Sequence, residues 1–227
     1  LSERLFLSNV IPLETSPEGL SLRARDIIDE LGWKAPERDS VSGFGTSSGQ
    51  LSYLRDTYGP TQDGHGYSLV RPTPIWFWYR QSPESLVPTS LAGFVTPNNP
   101  PDNLEGMITL YLDTQGKLLR LNAVPPEKDE TKPDSREPDW SLLFELAGLE
   151  FSDFDPSPPT WNPLLACDTR RAWTGHHPGQ KDIPTRIEAG SYQGQAIYFR
   201  TIMPWTQERK VFLANEQDSQ FEVLSIL

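Results

Sequence analysis

One order of signals is written twice in this chain, and it limits the folds open to it more than any other feature. In the first half, Ser16-Pro17 reads as a helix start, with Ser as N-cap and Pro at the first helical position. Leu20, Ala24, Ile27, Ile28 and Leu31 follow on one helical face, and Gly32 stops them. A strand rich in aromatics comes later, "WFWYRQSP" from Trp76 to Pro83. Then "MITLYL", "DTQG" and "KLLRLNAV" read as a hairpin with Pro at the exit. In the second half Asp139 caps "WSLLFELA" and Gly148 stops it; "AWTGHHP", Ala172 to Pro178, supplies the Trp strand, and a Gln193-Gly194 turn joins "TRIEAGSY" to "QAIYFRTIM". Trp78 aligns with Trp173, Pro83 with Pro178, Gln115-Gly116 with Gln193-Gly194, and "DELGW" with "FELAGL".

The expectation is an α+β fold made of two tandem copies of a helix-on-antiparallel-sheet unit, residues 16–126 and 139–205. An amphipathic helix and a half-apolar sheet cover each other in each copy. The Trp pair is expected to supply core mass. In the first hairpin, alternation places Leu119, Leu121 and Ala123 inward and Arg120 and Asn122 outward. A short helix with Leu51, Leu54 and Tyr58 on one face and Gly59 as its stop belongs to the first copy alone. "YSLVRP" reads as a strand, whereas "APERDSVS", "SGFGTSSG" and "SDFDPSPPTWNP" read as loops. Glu127 to Asp139 contains no apolar residue, so 127–138 is expected to be a solvated linker, with 206–227 a C-terminal extension.

Bulk properties exclude several functions. The 227 residues carry a formal charge of −11, which argues against nucleic acid and against a polybasic membrane patch. Cys167 is the single cysteine, so neither an internal disulfide nor a Cys metal cage can form. The longest internal apolar run, "IWFWY", is far shorter than the about 20 residues of a membrane-spanning helix. The start at Leu1 and the apolar end "FEVLSIL" predict a piece of a longer protein.

No motif carries chemistry convincingly. "GFGTSSG", Gly43 to Gly49, has the glycines of a nucleotide loop, but no Val-Ala-x-Lys or His-Arg-Asp follows it, and "DFD" at Asp153 to Asp155 lacks a closing Gly. The same run holds a formal Gly-x-Ser-x-Gly at Ser47, with Asp168 and then His176 or His177 in hydrolase order. The alternating βα pattern of such an enzyme is not visible. Adjacent His176 and His177 point to opposite sides of a strand and His65 is distant, so no metal set emerges. Asp153 and Asp155 stop short of a calcium ladder and suit turns. No catalytic, cofactor-binding or metal-binding residue is assigned.

"RDIIDELGW", "SGFG", "LSYL", "FWYRQSPESLVP", "GMITLYLDTQGKLLRLNAVPP", "DWSLLFELAGL" and "MPW", spread over most of 22–205, together resemble a region of membrane-bound Ser/Thr protein kinases of Acidobacteria and similar soil bacteria. That region lies C-terminal to the kinase domain, between membrane spans. The resemblance implies an extracytoplasmic, non-catalytic sensor or interaction domain. Its partner would be an unknown ligand or envelope protein, and it would meet the membrane only through flanking segments. It transfers no kinase residue, because this chain has none. The alternatives are a serine hydrolase using Ser47 and a secreted inhibitor-like module that binds a protein.

Overall fold

Both long helical patterns form where local chemistry directs them. The computed structural model describes residues 13–34, 36–59, 70–90, 93–128 and 136–206. Helix α1 spans Pro17–Glu30, and the Ser16 hydroxyl accepts the Gly19 N–H at 3.1 Å. Leu20, Ala24, Ile27 and Ile28 are buried, each contributing roughly 1.5–3 kcal/mol for the larger side chains. At its end Gly32 takes φ +78°, and the N–H groups of Gly32 and Trp33 donate to the carbonyls of Asp29 and Ile28, a Schellman pair. The second half repeats this geometry. A helix over Trp140–Leu146 is capped by Asp139, and Gly148 (φ +66°) and Leu149 donate back to Glu145 and Phe144. Between them lies α2, Ser48–Tyr58, so the Trp140–Leu146 helix is α3.

The strands are β1 Asp39–Thr46, β2 Ile75–Ser82, β3 Ile108–Leu112, β4 Leu118–Ala123, β5 Asp155–Ser157, β6 Thr169–His177, β7 Gln180–Tyr192 and β8 Gln195–Ile202. The fold is α+β, with one eight-stranded antiparallel sheet in the order β1-β2-β3-β4-β8-β7-β6-β5. Each half contributes a helix and a four-strand meander, and the meanders meet along β4 and β8, where Leu121 stands opposite Phe199. The sequence predicts an antiparallel sheet under the helix of each copy. The edge groups of β4 and β8 instead satisfy one another, so the sheet is continuous. One main apolar cluster also runs through both halves, from Leu20 and Phe77 to Trp173 and Phe199. The Trp33 indole N–H of the first half donates to the Ala196 carbonyl of the second at 3.2 Å.

Several expectations need correction. The Gly-rich run Gly43 to Thr46 is the end of β1, not a loop. Its glycines make room for aromatic rings on the neighbouring strand. A Cβ at Gly45 would stand 2.2 Å from the Trp76 ring, and one at Gly43 would stand 3.0 Å from Trp78. Within the Pro-rich stretch, Phe151–Asp153 forms a 3-10 turn and Asp155–Ser157 is edge strand β5, paired to β6 by backbone bonds that local propensity does not foretell. In "YSLVRP", Val70 to Pro72 are not strand and 67–69 lie outside the described residues. In β4, Leu118 rather than Leu119 enters the core, because a register shift after Tyr111 turns the pleat over; Leu121 and Ala123 point inward as expected. Helix α2 buries Gln50 and Leu54 and leaves Tyr58 exposed. Trp78 and Trp173 occupy the second strand of their halves but face opposite ways. Phe77 and Tyr79 join the helix-side core, which puts Trp78 on the other face, while Trp173 packs against Phe144 of α3 at 5.2 Å between centroids. Most of the 127–138 segment, 129–135, lies outside the described residues, as do 207–227 of the extension.

The glycine–tryptophan contact predicts a coupled pair. Gly45→Ala should lower unfolding free energy by about 1–3 kcal/mol through overpacking, measured in urea. In a Trp76→Leu background the same change should cost far less. Additive costs would show that the ring does not set the constraint.

Candidate functional site

Helices α1 and α3 cover one face of the sheet, and the other face carries polar and aromatic residues, with α2 at one end of it. Register places Gly43, Trp78, Tyr111, Arg120, Arg200 and Glu188 in one row across six strands. Tyr111 contacts Trp76 at 5.3 Å between ring centroids. The Arg120 guanidinium lies 5.1 Å over Tyr111, and that of Arg200 lies 4.6 Å over Trp161. Such stacking contributes about 0.5–2 kcal/mol per pair, depending on desolvation. The row forms because a strand period of two sends alternate residues to the same side.

Buried charges on this face hold two loops. Arg80, fully buried, donates to the carbonyls of Thr96 and Pro100 and to the Asp102 carboxylate, each at 2.7 Å. Asp102 also accepts the Thr109 hydroxyl at 3.0 Å. This clamp ties the 94–103 loop to β2 and β3. On the other side Glu188, 1% exposed, accepts from Arg186 at 2.7 Å and from the backbone N–H of Thr160 at 2.9 Å and of Trp161 at 3.3 Å. That set fixes the loop after β5 and places Trp161 beneath Arg200. Burial raises the Tyr198 hydroxyl pKa, against the pull of Arg200 and Arg120 nearby.

A groove of about 400 Å³ lies at the α2 end of this face. Its floor is Tyr111, Arg120 and Arg200, and its walls include Ser47, Ser48, Gln50, Thr73, Trp76, Asn98 and Trp205. Two arginines line it and no carboxylate does, in a chain of net charge −11. The size and the mix of rings with a few polar groups suit a small-molecule site.

The residues singled out in the sequence do not come together here. Ser47 Oγ accepts the Gln50 N–H at 3.2 Å as the N-cap of α2. The Asp168 carboxylate accepts the Gln193 N–H at 2.6 Å and the Ser191 hydroxyl at 3.3 Å, bracing the β7–β8 turn. His177 Nδ1 lies 3.2 Å from the Gln180 amide, burial lowers its pKa, and its neighbour His176 is exposed on β6. His65 lies outside the described residues. Asp153 ends the 3-10 turn and Asp155 opens β5. Among the described residues no group of three or more His, Cys, Asp or Glu could hold a metal ion. Burial pushes the Cys167 thiol up to about 11, where its sulfur packs over Gly190. No helix among the described residues is long and apolar enough to cross a membrane.

Sequence reasoning missed Arg80, Tyr111, Glu188 and Arg200 and labelled Arg120 merely outward. The usable signal was the alternation itself: "LLRLN" and "YFR" put a cation on the helix-free side of each last strand. Comparison with protein-family models, with characterised proteins and with solved structures found no match to this chain.

Ser47→Ala should lower stability by about 0.5–2 kcal/mol through loss of the cap, as read by thermal melting. Arg80→Met should cost about 3–5 kcal/mol, because Asp102 is left partly buried without its cation. Adding Asp102→Asn to Arg80→Met should return part of that loss. If it does not, the clamp is not the source of the effect.

Proposed function

We propose that this chain is a non-catalytic sensor or interaction domain. It would be the extracytoplasmic part of a bacterial transmembrane Ser/Thr protein kinase, built from two tandem copies of a helix-plus-four-strand unit. The observation that carries the binding role is the groove on the helix-free face, with stacked arginines at its floor. The tandem reading is supported by the mirrored strand order and by the two Schellman stops, Gly32 with Trp33 and Gly148 with Leu149. The kinase parent is supported by the family resemblance alone.

A groove that spans the β4–β8 seam touches both halves. A ligand that prefers one arrangement of the halves would shift their population, and flanking spans would carry that bias to the kinase. The cap geometry favours this reading over the Ser47 hydrolase, since the hydroxyl accepts a helix N–H and the Asp168 carboxylate accepts the Gln193 N–H of the β7–β8 turn.

The parent gene tests the proposal. Upstream of Leu1 it should encode a kinase domain, with its phosphate cradle, Lys and catalytic Asp, and then a span of about 20 apolar residues. The isolated chain should neither bind ATP nor transfer phosphate. An upstream region without kinase motifs removes the receptor reading and favours the secreted protein-binding module.

A further inference from the structure

We propose that Arg120 and Arg200 together form a recognition centre for an oxoanion, a carboxylate or phosphate group carried by a small molecule in the groove. This deepens the binding role proposed above and depends on it. The two arginines are direct cross-strand partners at the β4–β8 seam. Directly opposed residues on one face hold their Cβ atoms roughly 4.5–5.5 Å apart, and like charges so placed repel. An anion reached by both guanidiniums makes two charge-assisted contacts.

The surroundings favour this occupant. The chain has 31 acidic and 20 basic residues, yet the groove lining holds both arginines and no carboxylate. Glu188, the acid in the row, stands opposite Arg200 on β7 and accepts from Arg186 and from the Thr160 and Trp161 N–H groups. Stacking on Tyr111 and Trp161 engages the flat faces of the guanidiniums and orients them, while guanidinium donors lie in the plane of the group. The first turn of α2, at Ser48 and Gly49, borders the same space and adds the positive end of its dipole. Trp76, Trp205 and Asn98 on the walls leave room for an uncharged body beyond the anionic group.

The test uses the whole chain at fixed ionic strength, titrated with glucuronate, glucose 6-phosphate and glucose. Tryptophan fluorescence and the arginine side-chain NMR signals report binding. At least one charged sugar should give a saturable change and shift the Arg120 and Arg200 Nε–Hε signals, whereas glucose should give neither. A response to glucuronate alone assigns a carboxylate ligand, and one to glucose 6-phosphate alone assigns a phosphate. Arg120→Gln and Arg200→Gln should each weaken binding tenfold or more, with Arg170→Gln, outside the groove, unchanged. If a groove variant fails to fold, the wild-type arginine signals still decide. No response to either charged sugar at about 10 mM, well above millimolar dissociation constants, overturns the proposal. Equal binding of glucose, or equal weakening by Arg170→Gln, also overturns it. Either failure leaves the sensor reading to the parent gene, and a parent without a kinase leaves the titration result intact.

Discussion

The pairing of β4 with β8 is the interaction on which the rest of the structure depends. Without it each meander would end in a strand with open N–H and C=O groups, the condition that invites aggregation. Along the seam Leu121 faces Phe199, and both are fully buried on the helix side. Burying two such side chains contributes roughly 3–6 kcal/mol in total, and the ladder bonds are satisfied at the same time. The outer edges are managed differently. Strand β5 is only three residues long, and the glycines of β1 lie under the Trp76 and Trp78 rings. A short edge strand offers little to a second chain, and bulky rings over an edge keep its glycines from water.

The seam also fixes which face does what. Helices α1 and α3 both lie on the face of Leu121 and Phe199, so neither covers the opposite face, which meets only the first turn of α2 at one end. Alternation then commits Arg120, Asn122, Tyr198 and Arg200 to that open face. Two loops close over its flanks, one held by Arg80 and Asp102 and the other by Glu188 and Arg186. Buried ion pairs of this kind contribute little net stability against apolar replacements, but breaking one leaves a stranded charge. Their use here is geometric: they set the loop positions, and the Glu188 set places the ring on which Arg200 stacks.

What could be read from the sequence follows from how local each signal is. The caps at Ser16 and Asp139 and the stops at Gly32 and Gly148 depend on a few neighbouring residues, and they were legible. The Gln-Gly turns were legible for the same reason, with Gly116 and Gly194 both at positive φ. Strand β1 was not, because its glycines look like loop until Trp76 and Trp78 are placed over them. Unbroken alternation predicts Leu119 inward, and the bulge that turns it away is revealed only by the pairing with β3. Trp78 and Trp173 align by letter but lie one pleat apart, and in a strand a single residue of slip changes the face. The groove was hidden for a stronger reason. Arg120 and Arg200 come from different halves, and neither half alone indicates that the other supplies a second cation.

An acidic chain with a cationic groove raises a question of selectivity rather than of strength. A net charge of −11 repels anions at long range, but at physiological salt that field decays over roughly 8 Å. Inside the groove the nearest charges decide, and those are the two guanidiniums, stacked on Tyr111 and Trp161. Screening therefore weakens the repulsive approach more than it weakens the final contact. Densely charged anions gain less than their formal charge suggests, because the acidic exterior opposes each added negative charge. A ligand with one anionic group and an uncharged body loses little to that exterior and can still meet both arginines. The same acidic surface that argues against nucleic acid thus favours a small guest with a single anionic group at the seam.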